Sequence, residues 1–207
     1  NATICSYPTM SGISHLPEGE SLEFLDSICS HVNAGRSVPI PTAVGFCMYI
    51  PRKCLNEVGF FDEANFGKGY GEENDFCMRA TAKGYLHLFA LDTFVFHTGN
   101  VSFGSSSDVR KREAGQTMLR LHPHYDRLVQ AYCQADLGRT SRNNITAGRY
   151  KNSGKQVCLI ITHALGGGTE KHISELVTAL KEEMKFVFLR PVAEPGRGQF
   201  VRLSTGD

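Results

Sequence analysis

The chain has no tryptophan, no CxxC pair, no preponderance of charge of one sign, and no apolar run near the roughly 20 residues that a membrane-spanning helix needs. Each deficit excludes something. With 22 Lys and Arg against 21 Asp and Glu, the formal net charge is +1, which argues against an electrostatic nucleic-acid binder. Without closely spaced cysteines there is no sequence signature of a structural zinc site. The first residues, Asn1-Ala2-Thr3-Ile4-Cys5, contain neither an initiator Met nor the charged and apolar regions of a signal peptide, so the chain is expected to be a slice of a longer polypeptide.

What is present supports a folded protein. The 207 residues suffice for one domain, or for one domain and part of another, and a hydrophobic content of 41% can fill a core. Cysteines number seven, an odd count, and Cys47, Cys77 and Cys158 lie within apolar runs. Buried free thiols in a reducing cytosol are the expectation, with a secreted disulfide scaffold as the weaker alternative. The sequon-like Asn143-Asn144-Ile145-Thr146 carries no weight without a secretory context.

Residues 1–40 are rich in turn formers, with one helix expected over about 22–32. Ala43-Val44-Gly45-Phe46-Cys47-Met48-Tyr49-Ile50 reads as a buried strand, and Pro51 and Gly59 bracket a short helix. A turn at Phe60-Phe61-Asp62-Glu63 leads to Gly69-Tyr70-Gly71-Glu72-Glu73-Asn74-Asp75-Phe76, which opens a helix over 73–83 closed by Gly84. Residues 86–90 and 93–96 read as two short apolar strands, the second ending at His97. A Ser/Gly-rich loop over 102–108 precedes helices at about 109–121 and 125–135.

Residues 137–155 are polar and basic and read as a linker. Beyond it, Val157-Cys158-Leu159-Ile160-Ile161-Thr162 is a continuous apolar run of the buried parallel-strand type. Gly166-Gly167-Gly168 follows, then a helix with Ile173, Leu176, Val177 and Leu180 on one face, and a second strand over 185–189. This is a strand–glycine loop–helix–strand unit, with another helix expected to follow. A lone βαβ unit cannot bury its sheet, so an incomplete domain is expected here.

Three features could carry chemistry. Glu72, Glu73 and Asp75 begin a helix, where unpaired N–H groups and the helix dipole favour negative charge. The same glycine-hinged cluster can also present a general base, because adjacent carboxylates and partial burial both raise a carboxyl pKa. His97, at a strand end, reads either as a satisfied edge residue or as a Mn²⁺ ligand if carboxylates lie opposite. His122 and His124 read as surface residues. Gly166-Gly167-Gly168-Thr169 could bring backbone N–H groups to a phosphate, but it matches neither GxGxxG nor a Walker loop, and Thr169 as a helix N-cap is a sufficient explanation.

Taken in order, Val44 to Ile50, Val58-Gly59-Phe60-Phe61-Asp62-Glu63, Gly69 to Ala80, Gly84-Tyr85 and Val95-Phe96-His97 resemble the C-terminal half of family-2 glycosyltransferases. The resemblance implies an α/β fold: a partial GT-A fold, namely its acceptor half, over residues 1–136. It further implies an inverting sugar transfer with Glu73 as the base, although Asp is usual at that position. Glu72, Asp75, Gly45 and Tyr70 become acceptor-binding or supporting residues, and His97 a ligand of a divalent cation (Mn²⁺ or Mg²⁺) that stabilises the leaving nucleoside diphosphate. The family's Asp-x-Asp half has no counterpart in this sequence.

The tail over 156–207, with Thr162-His163-Ala164-Leu165-Gly166-Gly167-Gly168-Thr169-Glu170, resembles the start of a family-4, GT-B glycosyltransferase, an incomplete Rossmann-like βαβ unit. The parent would then be a two-enzyme polypeptide of bacterial surface-polysaccharide synthesis. It would work in the cytoplasm, possibly as a peripheral protein at the inner membrane face, on a nucleotide-sugar donor and a glycan or lipid-linked glycan acceptor. The isolated chain is expected to be inactive. A non-catalytic carbohydrate-binding module is the main alternative. A nucleotide-binding oxidoreductase, resting on the tail alone, is the weaker one.

Overall fold

In the computed structural model, residues 3–10, 16, 19–67, 70–98, 107–163, 165–194 and 198–205 are described. Gly69 and most of the Ser/Gly-rich loop over 102–108 lie outside them. The chain is mixed α/β and divides into two compact units, Asn1–Thr146 and Ala147–Asp207.

In the first unit, helix α1 (Leu22–Val32) starts where the Ser21 hydroxyl accepts from the Phe24 N–H at 3.1 Å, satisfying one orphan donor of the first turn. It buries Leu25, Ile28 and Cys29, spaced i, i+3, i+4. Ile28 and Cys29 pack with Ile145, and Tyr7 and Phe94 lie against that cluster. Strand β1 (Ser37–Ile40) pairs antiparallel with β2 (His87–Ala90), in a register that sets Ile40 opposite His87 and Pro39 opposite Leu88. Proline is tolerated because a strand of a two-stranded sheet keeps one unpaired side.

Two short helices, α2 (Arg52–Val58) and α3 (Glu63–Phe66), lead to α4 (Glu72–Ala82). Cys54 of α2 meets Phe76 and Ala80 of α4 in a second core cluster, where Phe76 is only 1% exposed. Burying a phenylalanine to that extent stabilises by about 2–3 kcal/mol, and it fixes the orientation of α4. Helices α5 (Ser107–Leu121), α6 (Tyr125–Ala135) and α7 (Arg139–Lys151) follow β2.

Four expectations change. Residues 43–50 do not form a strand; their middle is a 3-10 turn, Gly45–Cys47, and the strand that pairs with β2 lies upstream in β1. The apolar run over 93–96 is not a strand either. Its backbone is tied to α1, with the Phe94 N–H donating to Asp26 Oδ1 at 2.8 Å, while the Phe94 ring joins the α1 cluster.

The polar segment expected as a linker is mostly helix α7, with Ser141, Arg142, Ile145, Arg149 and Tyr150 buried along it. Its polarity is absorbed by specific partners rather than by solvent. Arg142 pairs with Asp136, and the Ser141 carbonyl accepts from Asn33 Nδ2 at 3.2 Å. Asn33 is itself 0% exposed and also donates to the Leu91 carbonyl at 3.2 Å.

In the second unit, β3 (Gln156–Ile161), α8 (Gly168–Leu180) and β4 (Met184–Glu194) form the expected strand–helix–strand unit, a parallel pair joined through a helix, with Gln156 opposite Met184 and Ile161 opposite Leu189. The helix expected next is instead strand β5 (Gly198–Thr205), antiparallel to β4. β4 runs on through Pro191 to Glu194, and the register from Glu194↔Gly198 to Val187↔Thr205 makes the two a hairpin. Phe186 and Phe188 of β4 are buried, whereas Val157, Leu159 and Ile161 of β3 remain 49%, 54% and 74% exposed.

Candidate functional site

The acidic cluster owes its position to glycine. Gly71 is the N-cap of α4 at φ 91°, a left-handed conformation that residues with a Cβ rarely adopt. A Cβ there would also lie 2.8 Å from Phe66 Cδ1, 2.9 Å from Phe66 Cε1 and 3.2 Å from Ala114 Cβ. Conformation and close approach each require a residue without a side chain. The chain thus turns tightly under α3 and α5 and delivers Glu72, Glu73 and Asp75 into the first turn of α4.

The three carboxylates then meet three different environments. Glu73 lies against the 3-10 turn: the point where a Cβ on Gly45 would sit is 3.6 Å from Glu73 Cβ and Cγ and 3.7 Å from Cδ. Burial raises the Glu73 pKa, hydrogen bonds from its own N–H and that of Gly71 oppose the rise, and the neighbouring Glu72 charge adds to it; the net shift is upward. Glu72 Oε2 is buried and has no hydrogen-bond partner among the described residues. A buried carboxylate oxygen without a donor is costly, and a substrate hydroxyl would satisfy it.

Asp75 is different. It is 2% exposed, and both its oxygens are engaged: Arg79 Nε donates at 2.7 Å and His122 Nε2 at 2.8 Å. Because an ionised carboxylate can only accept, that histidine nitrogen carries the proton. Arg79 also donates to the carbonyls of Val58 and Phe60, both at 2.9 Å. Asp75 is thus the centre of a brace that ties α4 to the end of α2 and to the end of α5, a supporting role rather than an open ligand. His122, expected at the surface, is its third member, with a side chain only 16% exposed.

Around Glu73 stand further residues that the sequence reading passed over. The Tyr125 pKa is pushed up to about 12, by burial first, with the charges of Glu73 and Cys77 adding and the Thr42 hydroxyl opposing. Thr42 Oγ1 donates to Asn74 Oδ1 at 2.8 Å, and the Ala43 N–H donates to Cys77 Sγ at 3.3 Å, so the loop after β1 is held onto α4. The Asp75/Arg79 spacing of i, i+4 was legible as an ion pair. Nothing in the sequence brings Tyr125 or His122 to residues some 50 positions earlier. The ring of Tyr70 lies beneath Lys111, whose Nζ is 5.3 Å from the centroid.

His97 stacks on Phe46, with centroids 4.3 Å apart and planes 5° apart. It offers one imidazole to a cation, and among the described residues no group of three or more His, Cys, Asp or Glu is placed to hold a metal. These residues do not make a divalent-cation site by themselves. Gly166 and Gly167, at φ 74° and 90°, bring the chain to the start of α8, where Gly168 is the first helical residue. Gly167, not Thr169, is the N-cap; Thr169 lies inside the first turn, and no side chain caps the helix. The four residues are exposed.

Comparisons of the chain with protein-family models, with curated proteins and with solved structures find no match. No helix among the described residues is long and apolar enough to cross a membrane.

Proposed function

We propose that the first unit is the acceptor half of a glycosyltransferase of the GT-A type, and that Glu73 removes the proton from an acceptor hydroxyl. The observation that carries the proposal is the pair at the start of α4: a Glu73 carboxylate whose pKa is raised by burial, beside a Glu72 oxygen that is buried without a donor. A base works best with a pKa drawn toward the working pH, and burial draws Glu73 in that direction. In this reading the acceptor hydroxyl donates one hydrogen bond as its oxygen attacks the anomeric carbon of a nucleotide sugar. Its proton passes to a Glu73 oxygen, the bond from anomeric carbon to phosphate oxygen breaks, and the nucleoside diphosphate leaves with inversion.

Glu72 and Tyr70 would line the acceptor, Gly45 would let the 3-10 turn approach Glu73, and Asp75 would hold the helix start rigid. When bound, a divalent cation would supply charge neutralisation to the leaving group, with His97 as one donor. The tail would open a second, GT-B type domain, with the loop at Gly166, Gly167, Gly168 and Thr169 facing its ligand. The donor half would come from sequence outside these 207 residues. The substrates would be a nucleotide sugar and a glycan or lipid-linked glycan, in the cytoplasm or at the inner membrane face.

The test is sugar transfer by the full polypeptide that carries this sequence, with and without Glu73→Gln. We expect loss of transfer by roughly 100-fold or more with acceptor binding retained, as removal of a general base gives. Transfer unchanged in Glu73→Gln, with sugar binding intact, overturns the catalytic assignment in favour of a carbohydrate-binding module.

A further inference from the structure

A cavity of about 640 Å³ opens in the first unit, and one end of it is the turn that packs on the candidate base. Val44, Phe46 and Cys47 line that end, and Gly45 among them is the residue whose Cβ position lies 3.6 Å from Glu73 Cβ and Cγ. His97, stacked on Phe46, lines it as well. From there the lining follows β2 and reaches Cys29 and Ile145 of the α1 cluster. The volume is that of a small-molecule site.

The wall is mainly apolar, and its polar groups are engaged within the protein. Among the described residues, no Asp, Glu or Lys lines the cavity. Its buried cation, Arg142, is paired with Asp136, and burial pushes the Cys5 and Cys29 thiols up to about 11, so both are neutral. The Tyr7 hydroxyl hydrogen-bonds the Thr146 hydroxyl at 3.0 Å, and the Tyr85 hydroxyl donates to Glu57 Oε2 at 2.7 Å. His87 Nε2 donates to the Cys77 carbonyl at 2.9 Å. A diphosphate would meet no Lys and no unpaired Arg along this wall. A glycan chain would bury hydroxyls against it without partners, and each one costs free energy. A hydrocarbon leaves nothing unpaired and gains with every methylene taken out of water.

We propose that the acceptor is a glycolipid whose hydrocarbon tail lies in this cavity, along Leu88, Phe94 and Val95, while its sugar hydroxyl meets Glu73. Because the cavity begins at the turn against Glu73, the reacting sugar is the one attached to the tail. The proposal rests on the glycosyl-transfer reading and narrows it to one class of acceptor. The test uses the full polypeptide that carries this sequence, with hexyl, octyl and decyl β-D-glucopyranoside below their micelle concentrations. Calorimetry measures their binding, and sugar transfer to them is followed in the wild type and in Glu73→Gln.

We expect saturable binding that tightens about fourfold for each added methylene, the gain from burying it. Leu88 and Val95 are 60% and 45% exposed, so the fold depends little on them. Leu88→Asn and Val95→Asn should each weaken the decyl glycoside about fivefold or more. Amide NMR shifts of the 207-residue chain at Leu88, Phe94 and Val95 locate the tail, and decide the matter if a variant does not fold. Equal binding of the three glycosides, as when another part of the full polypeptide covers this wall, overturns the proposal. So does binding that does not saturate, or wild-type affinity in both folded variants; a loss of transfer in Glu73→Gln would then still stand. Binding that follows chain length, with transfer unchanged in Glu73→Gln, overturns the base assignment instead and leaves the tail site.

Discussion

Gly71 and Gly167 both sit at the N-cap of a helix, at φ values of 91° and 90°. A Cβ on Gly71 would collide with Phe66 and press on Ala114, whereas a Cβ on Gly167 meets nothing within 4 Å. The first turn is held by its neighbours, the second only by its own backbone. The acidic side chains after Gly71 inherit that rigidity, and Asp75 adds to it by joining Arg79 and His122. After Gly167 the helix start is open and exposed, with no side-chain cap. Two similar strings of glycine and polar residues thus give one helix start packed tightly by its neighbours and one left open to solvent.

Substitution at the two glycines measures that difference most directly. Gly71→Ala should destabilise the first unit by about 3–5 kcal/mol, adding overpacking to backbone strain. Gly167→Ala should cost the second unit about 1–3 kcal/mol, from strain alone. Urea unfolding followed by amide exchange in each unit checks both, and equal costs would break the contrast.

Removing the brace without touching the glycine is the next largest change. Arg79→Met leaves Asp75 buried with His122 as its remaining side-chain partner and removes the donors to Val58 and Phe60, for an expected loss of about 2–4 kcal/mol. Chemical denaturation reads it. A loss near zero would mean that α4 is held by packing alone.

A smaller effect, with a definite sign, is expected at Glu73. Its pKa is raised on folding, so the folded state holds the proton more tightly than the unfolded chain. The stability that this contributes is fully present below the usual glutamate range and is lost as pH rises through the folded value. Glu73→Gln should therefore raise the melting temperature at neutral pH and leave it unchanged in acid. A gain that persisted unchanged at acidic pH would show that ionisation is not the cause.

The smallest change is one of rate. Cys47 is exposed, whereas burial pushes the Cys5 and Cys29 thiols up to about 11. Labelling with a thiol reagent at pH 8 should modify Cys47 well before Cys5 and Cys29. Mass spectrometry over time gives the order.

Helices with local signals were readable in advance. α1, α2, α4, α6 and α8 lie where apolar spacing, Pro51, Gly59 and Gly84 placed them, and the parallel pairing of β3 with β4 followed from an apolar run, a glycine loop and a helix. Apart from β5, which pairs with its neighbour β4, the misplaced elements were those with partners far along the chain. Residues 43–50 have strand composition, yet the turn at Gly45–Cys47 forms where the chain packs on Glu73. α7 was concealed because Arg142, Ser141 and Asn144 look solvated until Asp136 and Asn33 are set beside them.

At the candidate site the division is the same. The sequence by itself determined that three carboxylates would open a helix behind a glycine, because capping and helix dipoles act within one turn. Only the tertiary structure decided that Asp75 is spent on Arg79 and His122, that Glu73 is desolvated against Gly45, and that one Glu72 oxygen is buried without a donor. Burial and long-range pairing set the chemistry of a carboxylate, and both depend on residues that the sequence places far away.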